Sequence, residues 1–356
     1  MNGHVTSHAT PRRPFARFAV PALALMLTLT PAAPAQATAP AGATWNQLMR
    51  RKLSADAEAV RLTAALPTLR ATITARNTVL VKARRTQSAA TVTLADTTTA
   101  DRGARARYAT AYAAAAIAKQ ALVAEQKRRP ASKSRIATAK EKLFAARAVV
   151  RTRSATVGRT DTALKAARTV STWATGQVTG ATAAVRAATK AVADTQVTIT
   201  SLRRLSPTLV AQASTISQQV VTQSRATFTT AATTTVYGIT VNRTVAYPFQ
   251  RMIDDAAKAG VRLSGGGFRT KQQQIALRRT NGCRDVWTAP ASSCRVPTAI
   301  PGHSLHELGL AIDMTTGGRT ITSRSSVAFT WLAANAGRYG FRNLPSEPWH
   351  WSITGG

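Results

Sequence analysis

The sequence predicts an α+β domain at the C-terminus, preceded by an all-α coiled-coil or helical-bundle region and, ahead of both, an export signal. Three observations carry this. Residues 38–226 are mostly Ala, Thr, Arg, Val and Leu and hold a long seven-residue apolar repeat. Residues 236–356 instead gather both cysteines and most of the tryptophans, in short runs whose period switches between helix and strand. The first 37 residues combine a positive start, a short apolar run and a small-residue cleavage pattern.

In the leader, Arg12, Arg13 and Arg17 supply the positive segment and Phe18 to Leu29 the apolar one, with Ala35-Gln36-Ala37 as an A-x-A site before Thr38. The run is shorter than the roughly 20 residues a membrane span needs, so cleavage by the general secretory route is expected. An uncleaved anchor is the alternative. Export places the mature protein outside the cytoplasmic membrane, secreted or associated with the cell wall.

The helical region follows from its register. Ile136, Leu143, Val150, Val157, Leu164, Val178, Val185, Val192 and Ile199 share one heptad position, interrupted by Ser171. Three residues on, the position is mostly small: Ala139, Ala146, Ala167, Ala174, Ala181 and Ala188, with Arg153 and Thr160 breaking the row. Branched apolar residues at one seam position and alanine at the other let helices approach closely. Pro67, Gly103, Pro130 and Pro207 are expected turns or kinks, giving several long helices folded back as an antiparallel hairpin or bundle. Residues 227–235 read as a threonine-rich linker.

In residues 236–356, Val236 to Val241 looks like a strand, Pro248 to Ala259 like an amphipathic helix, and Val261 to Leu263 like a strand entering Gly265-Gly266-Gly267. A helix is expected from about Thr270 to Arg279, strands at Leu310 to Met314 and Trp349 to Ile353, and a helix at Val327 to Tyr339.

The net charge of +34 sits chiefly on the helices: residues 38–235 carry 31 lysines and arginines against 8 acids. A basic, exported helical region is drawn to polyanions. Outside a cell these are anionic wall polymers or the membrane surface rather than nucleic acid. A well-solvated helical surface, or a coiled-coil partner, are the other readings. Cys283 and Cys294, close together in a loop-like stretch, are expected to form a disulfide.

Beyond the leader, which contains His4 and His8, the chain has three histidines, all near its end. They lie in Pro301-Gly-His303-Ser304-Leu-His306-Glu-Leu-Gly309-Leu-Ala311-Ile-Asp313 and in Glu347-Pro-Trp349-His350-Trp351. Catalytic zinc takes three His, Asp or Glu ligands and leaves one position for water. His306, Asp313 and His350 supply such a set. Glu347, three residues before His350, can act as a general base without ligating. A lone histidine is more often a surface or hydrogen-bonding group; it is the concentration of imidazole beside acids that points to a metal.

Ser304-x-His306-x-x-Gly309-x-Ala311-x-Asp313 followed by Glu347-x-x-His350 resembles the zinc D-alanyl-D-alanine carboxypeptidases of the VanY type, which belong with the lysostaphin and hedgehog-like zinc folds. Upstream, Ser264-Gly-Gly-Gly-Phe268-Arg269-Thr270 with Gln274 is similar to that family's Gly-Tyr-Arg-Ser…Gln segment. The resemblance covers about residues 240–352. It implies one Zn²⁺ per chain on His306, Asp313 and His350, Glu347 as catalytic base, Arg269 steadying the substrate carbonyl, and Gln274 and Ser304 holding the peptide. Phe268 stands where the family often has tyrosine, and Thr270 keeps the hydroxyl of the family's serine. His303 matches no ligand position. Trp349 and Trp351 read as packing residues beside the pocket.

The function this implies is an exported zinc peptidase that removes the terminal D-Ala from peptidoglycan stem peptides. The rivals are an endopeptidase or L,D-carboxypeptidase on the same scaffold, and a non-catalytic wall-binding scaffold built around the helices.

Overall fold

The computed structural model describes residues 40–356; the expected leader lies outside them. Two helices make up most of this length, α1 (Ala41–Lys127) and α2 (Lys133–Thr227), joined by a short turn at Pro130. Cross-helix bonds run in antiparallel register: Ala41 N to Gln223 Oε1 at 2.8 Å, Gln87 Nε2 to Thr175 Oγ1 at 3.3 Å, and Arg105 Nη2 to Asp161 Oδ1 at 2.9 Å.

The several helices expected are therefore two. Pro67, Gly103 and Pro207 lie inside them, and only Pro130 turns the chain. A proline removes one helical donor and strains one turn. Over helices of 87 and 95 residues with a shared seam, that local loss does not stop the helix.

The seam follows the heptad. Leu143, Leu164 and Ile199 are buried, as are Ala139, Ala167, Ala174 and Ala181 from the alanine row. Ala181 clusters with Leu80 and Ala83 of α1, whose other buried residues include Ala90, Ala104 and Ala111. Where Thr160 breaks the row, its hydroxyl donates to the buried Asp101 at 2.9 Å, and Asp101 also accepts from Arg105. The polar break is thus satisfied internally. Among the described residues, no helix is long and apolar enough to cross a membrane.

The base of the hairpin differs. Trp45, Met49 and Leu53 of α1 and Ala213, Val220 and Val221 of α2 belong to the same buried cluster as the C-terminal sheet. Gly340 shows how close this fit is: it sits at φ +81°, and a Cβ there would lie 2.5 Å from the Trp45 ring. Trp45 Nε1 donates to Ser217 Oγ at 3.2 Å, and Asn46 Nδ2 donates to the carbonyls of Arg243 and Thr244, each at 2.9 Å. The fully buried Trp45 and Met49 contribute about 1.5–3 kcal/mol each by burial.

After α2 comes a hairpin, β1 (Thr233–Val236) and β2 (Ile239–Asn242). It replaces the single strand expected over Val236–Val241 and takes in the end of the threonine-rich segment. Tyr237 (φ 49°) and Gly238 (φ 80°) form its two-residue turn, a left-handed pair that matches the strand twist. Helix α3 (Arg243–Lys258) follows, capped by Asn242. It starts earlier than expected and carries Pro248 in its second turn.

The main sheet is antiparallel, ordered β3 (Ser264–Gly266), β4 (Ala311–Thr316), β7 (Glu347–Ser352), β6 (Arg342–Leu344), with β5 (Arg319–Thr320) paired to β4. Two further helices, α4 (Lys271–Thr280) and α5 (Val327–Asn335), complete an α+β domain. Leu310, Ile312, Met314, Leu332 and Phe341 fill its core together with the helical base.

Candidate metal centre

Strand pairing brings the first two chemical groups together. Asp313 of β4 lies directly opposite His350 of β7. Directly opposed residues share a sheet face with Cβ atoms about 5 Å apart. His306 comes from a 3₁₀ turn, Leu305–Leu308, that lands just before β4. Its shape is dictated locally: Ser304 and Glu307 form a capping box, and Leu305 and Leu308 are buried as anchors. Asn242 grips the end of the turn, donating from Nδ2 to the Leu308 carbonyl at 2.9 Å.

The three side chains converge on one point. His306 Nε2 is 3.1 Å from Asp313 Oδ1 and 3.2 Å from His350 Nδ1, which is itself 3.1 Å from Asp313 Oδ1. His306 Nδ1 lies 2.7 Å from the carbonyl of Gly267, which can only accept, so the ring proton sits there and the Nε2 lone pair faces the centre. Gly267 has to be glycine, because a Cβ would run into the Thr240 carbonyl oxygen.

One carboxylate oxygen and one imidazole lone pair thus face a second imidazole nitrogen, and a single proton on His350 Nδ1 cannot serve both contacts. A cation can. Four donors at about 2.0–2.1 Å in a tetrahedron stand about 3.4 Å apart, close to this triangle. His306, Asp313 and His350 are also the group among the described residues whose ligand atoms all fall within 4.8 Å of one another. The donor set therefore fits a metal ion.

Around the triangle, Arg269 donates from Nη2 to Asp313 Oδ2 at 3.2 Å and from Nη1 to Gln274 Oε1 at 2.9 Å. Burial works against the charge of Asp313, but its close contacts with the His306 and His350 rings, which favour the carboxylate whenever those rings carry a proton toward it, outweigh this and hold the carboxyl well below its ordinary range. Glu347, the first residue of β7, has Oε2 4.0 Å from His350 Nδ1, beside the triangle without joining it. Burial pushes its pKa up and the charge of Asp313 adds to this, while His350, His306 and a hydrogen bond from Trp349 pull the other way.

The two residues expected to hold the peptide are both buried. Gln274 is 1% exposed, its oxygen taken by Arg269 and its nitrogen donating to the Ala299 carbonyl at 2.7 Å. Ser304 is 6% exposed and caps the His306 turn. Both side chains are enclosed and bonded within the protein, where they support Arg269 and the His306 turn. His303 is exposed, and its backbone is engaged: its N–H donates to the Ile300 carbonyl at 2.9 Å and its carbonyl accepts from Arg225 Nη2 of α2 at 2.5 Å. Phe268 packs against Phe228 at 5.7 Å between centroids, so its ring meets the end of the helical hairpin. Trp351 is buried against Phe329.

Some supporting residues were not singled out from sequence. Asn242 carried a readable signal, a helix-capping residue type ahead of a helix. Asn343 carried none: its Nδ2 donates to the carbonyls of Glu347 and His350, each at 2.9 Å, and so holds the part of β7 that carries both residues. Cys283 and Cys294 are joined in a disulfide.

Comparison with known proteins bears on this segment. Residues 238–356 match the family model VanY, described as D-alanyl-D-alanine carboxypeptidase. The D-alanyl-D-alanine carboxypeptidase of Enterococcus faecalis (strain ATCC 700802 / V583) is 33% identical over 126 residues, covering 30% of this chain and 46% of that protein. This chain thus spans about half the length of the curated relative it matches. No solved structure gives a significant match. The resemblance read from the sequence therefore holds for the C-terminal domain, and the long hairpin lies outside it.

Proposed function

We propose that the C-terminal domain is a zinc D-alanyl-D-alanine carboxypeptidase acting on peptidoglycan stem peptides. The observation that carries this is the convergence of His306, Asp313 and His350 with a non-ligating carboxylate, Glu347, 4.0 Å from one of them. The family match and the named relative support the substrate class.

His306, Asp313 and His350 would hold one Zn²⁺, which when bound would supply polarisation of the scissile carbonyl and acidification of water near neutral pH. Glu347 accepts the proton of the attacking water and passes it to the leaving amine of D-Ala. Arg269, with its fixed charge and forked donors, steadies the carbonyl oxygen as negative charge develops. Gln274 aims that guanidinium, and Ser304 sets the turn that carries His306. Asp313 stays ionised throughout.

The protein is exported, and the helical hairpin holds it near its substrate. Its basic surface binds anionic wall polymers or the membrane surface, or its seam accepts a coiled-coil partner.

The test is release of D-Ala from a pentapeptide ending in D-Ala-D-Ala. Glu347→Ala is expected to keep its zinc and lose at least ~100-fold in turnover. Unchanged turnover rules out Glu347 as the base. Zinc binding with cleavage of cross-linked stems but no D-Ala release moves the assignment to an endopeptidase.

A further inference from the structure

The loop between α4 and the His306 turn is fastened at several points, and it presents a large aromatic side chain to solvent. Arg278 lies beneath it, 0% exposed and, among the described residues, without a carboxylate partner. Its guanidinium donates instead to backbone: Nη1 to the Thr298 carbonyl at 2.5 Å, Nη2 to those of Asp285 at 2.7 Å and Ala289 at 2.6 Å. The last two bracket Trp287. The Asp285 carboxylate accepts from the backbone N–H groups of Trp287 and Thr288, at 2.8 and 2.5 Å, which fixes the turn itself. The disulfide Cys283–Cys294 closes the loop around it.

Burying a guanidinium without a counter-ion is costly unless its donors are met; here three N–H groups are met by carbonyls of this one loop, while Nε stays buried without a partner. The product is a preset turn carrying Trp287, which is 53% exposed. A rigid, exposed aromatic loses little freedom when a ligand lands on it. Lys271 Nζ stands 5.7 Å from the centre of its ring.

The position of this platform gives its purpose. Lys271 is two residues beyond Arg269, a step of about 7 Å at most. Gln274 ties Arg269 to Ala299 at the far end of the same loop. Through Lys271 and the Gln274–Ala299 tie, the platform is joined to the segment that carries Arg269. In a stem peptide, the four residues between the scissile bond and the sugar span about 14 Å when extended. A pyranose ring offers an apolar C–H face to an aromatic ring and a rim of oxygen acceptors to an ammonium group. Those are the two chemistries present.

The geometry points to a carbohydrate subsite: Trp287 stacks on a pyranose of the glycan strand and Lys271 donates to its oxygens, so that glycan-linked stems are preferred over free peptide. This rests on the carboxypeptidase reading only for the other end of the substrate.

The experiment compares a free pentapeptide ending in D-Ala-D-Ala with the same peptide carrying its N-acetylated amino-sugar disaccharide. Wild type is expected to prefer the glycan-linked form through a lower KM. Trp287→Ala should reduce the ratio of the two kcat/KM values by roughly fivefold, and Trp287→Phe should retain most of it. A ratio equal in wild type and Trp287→Ala overturns the subsite. Intrinsic fluorescence supplies an arm that needs no catalysis: the disaccharide alone should cause a saturable change in wild type and none in Trp287→Ala. If neither peptide is cleaved, the carboxypeptidase reading fails while the titration still decides the subsite. No saturable change in wild type overturns it.

Discussion

The two ends of the helical hairpin are built of the same helices but held by different physics. At the base, Trp45, Met49, Val220 and Val221 enter a three-dimensional core shared with the sheet and with α3. Along the arm, two helices meet only each other, and the buried residues are largely alanines such as Ala104, Ala174 and Ala181. Large apolar residues there stay exposed: Ile117 is 66% exposed, Phe144 70% and Trp173 57%. Buried apolar area scales with side-chain size, so the base is anchored strongly and the arm is held by length and repetition. The family-matched segment begins at residue 238, yet its core includes residues from 41 to 53 and from 213 to 221. The folded unit that carries the metal centre is larger than the segment that resembles known proteins.

The largest test of this contrast is Trp45→Ala. It should remove about 3–5 kcal/mol of stability, read as a fall in the unfolding midpoint, because a full ring leaves a closed core. A loss below ~1 kcal/mol would mean the base is an appendage.

Next comes the junction with the site. Phe228→Ala removes the ring that packs on Phe268, and is expected to lower kcat/KM several-fold while leaving zinc content intact. No change would show that the hairpin does not help place Arg269.

Acid gives a smaller effect, again confined to the base. Burial opposes the charge of Asp255, but hydrogen bonds from Lys258 and Tyr339 outweigh it and keep its carboxyl below the ordinary value. A depressed folded-state pKa contributes stability that is present above the unfolded value near 4 and is lost as pH falls through the folded one. Tyr339→Phe removes one of these bonds, so thermal unfolding between pH 6 and 3 should show a shallower acid loss than wild type. An unchanged acid slope would remove Asp255 from the account.

The smallest effect belongs to the arm. Trp173→Ala should change stability by less than ~0.5 kcal/mol, far below the change at Trp45, because most of the ring is already in water. A large loss would reveal an arm packed against something more than its partner helix.

The sequence made the chemistry legible and the long-range packing much less so. Histidine scarcity and the spacing of His306, Asp313 and His350 are chemical facts that survive any fold, and the structure brings those three groups together. The heptad through Leu143, Leu164 and Ile199 was readable because helix periodicity is local. Pro67 and Pro207 misled, since a local penalty is outweighed by seam contacts that no window of sequence contains. Trp45 and Ser217 pair across 172 residues, and nothing near either position announces it. Gln274 and Ser304 carried motif identity but not direction: polar side chains beside a site can support it from within as readily as face the substrate. Arg278 was silent because its partners are all backbone carbonyls.

The most direct measurement of the central claim is metal content by mass spectrometry alongside D-Ala release, for wild type and His350→Ala. The account predicts one zinc per chain in wild type, and loss of both zinc and D-Ala release in the variant. A wild-type chain that binds no zinc, or a His350→Ala chain that still releases D-Ala, would contradict it.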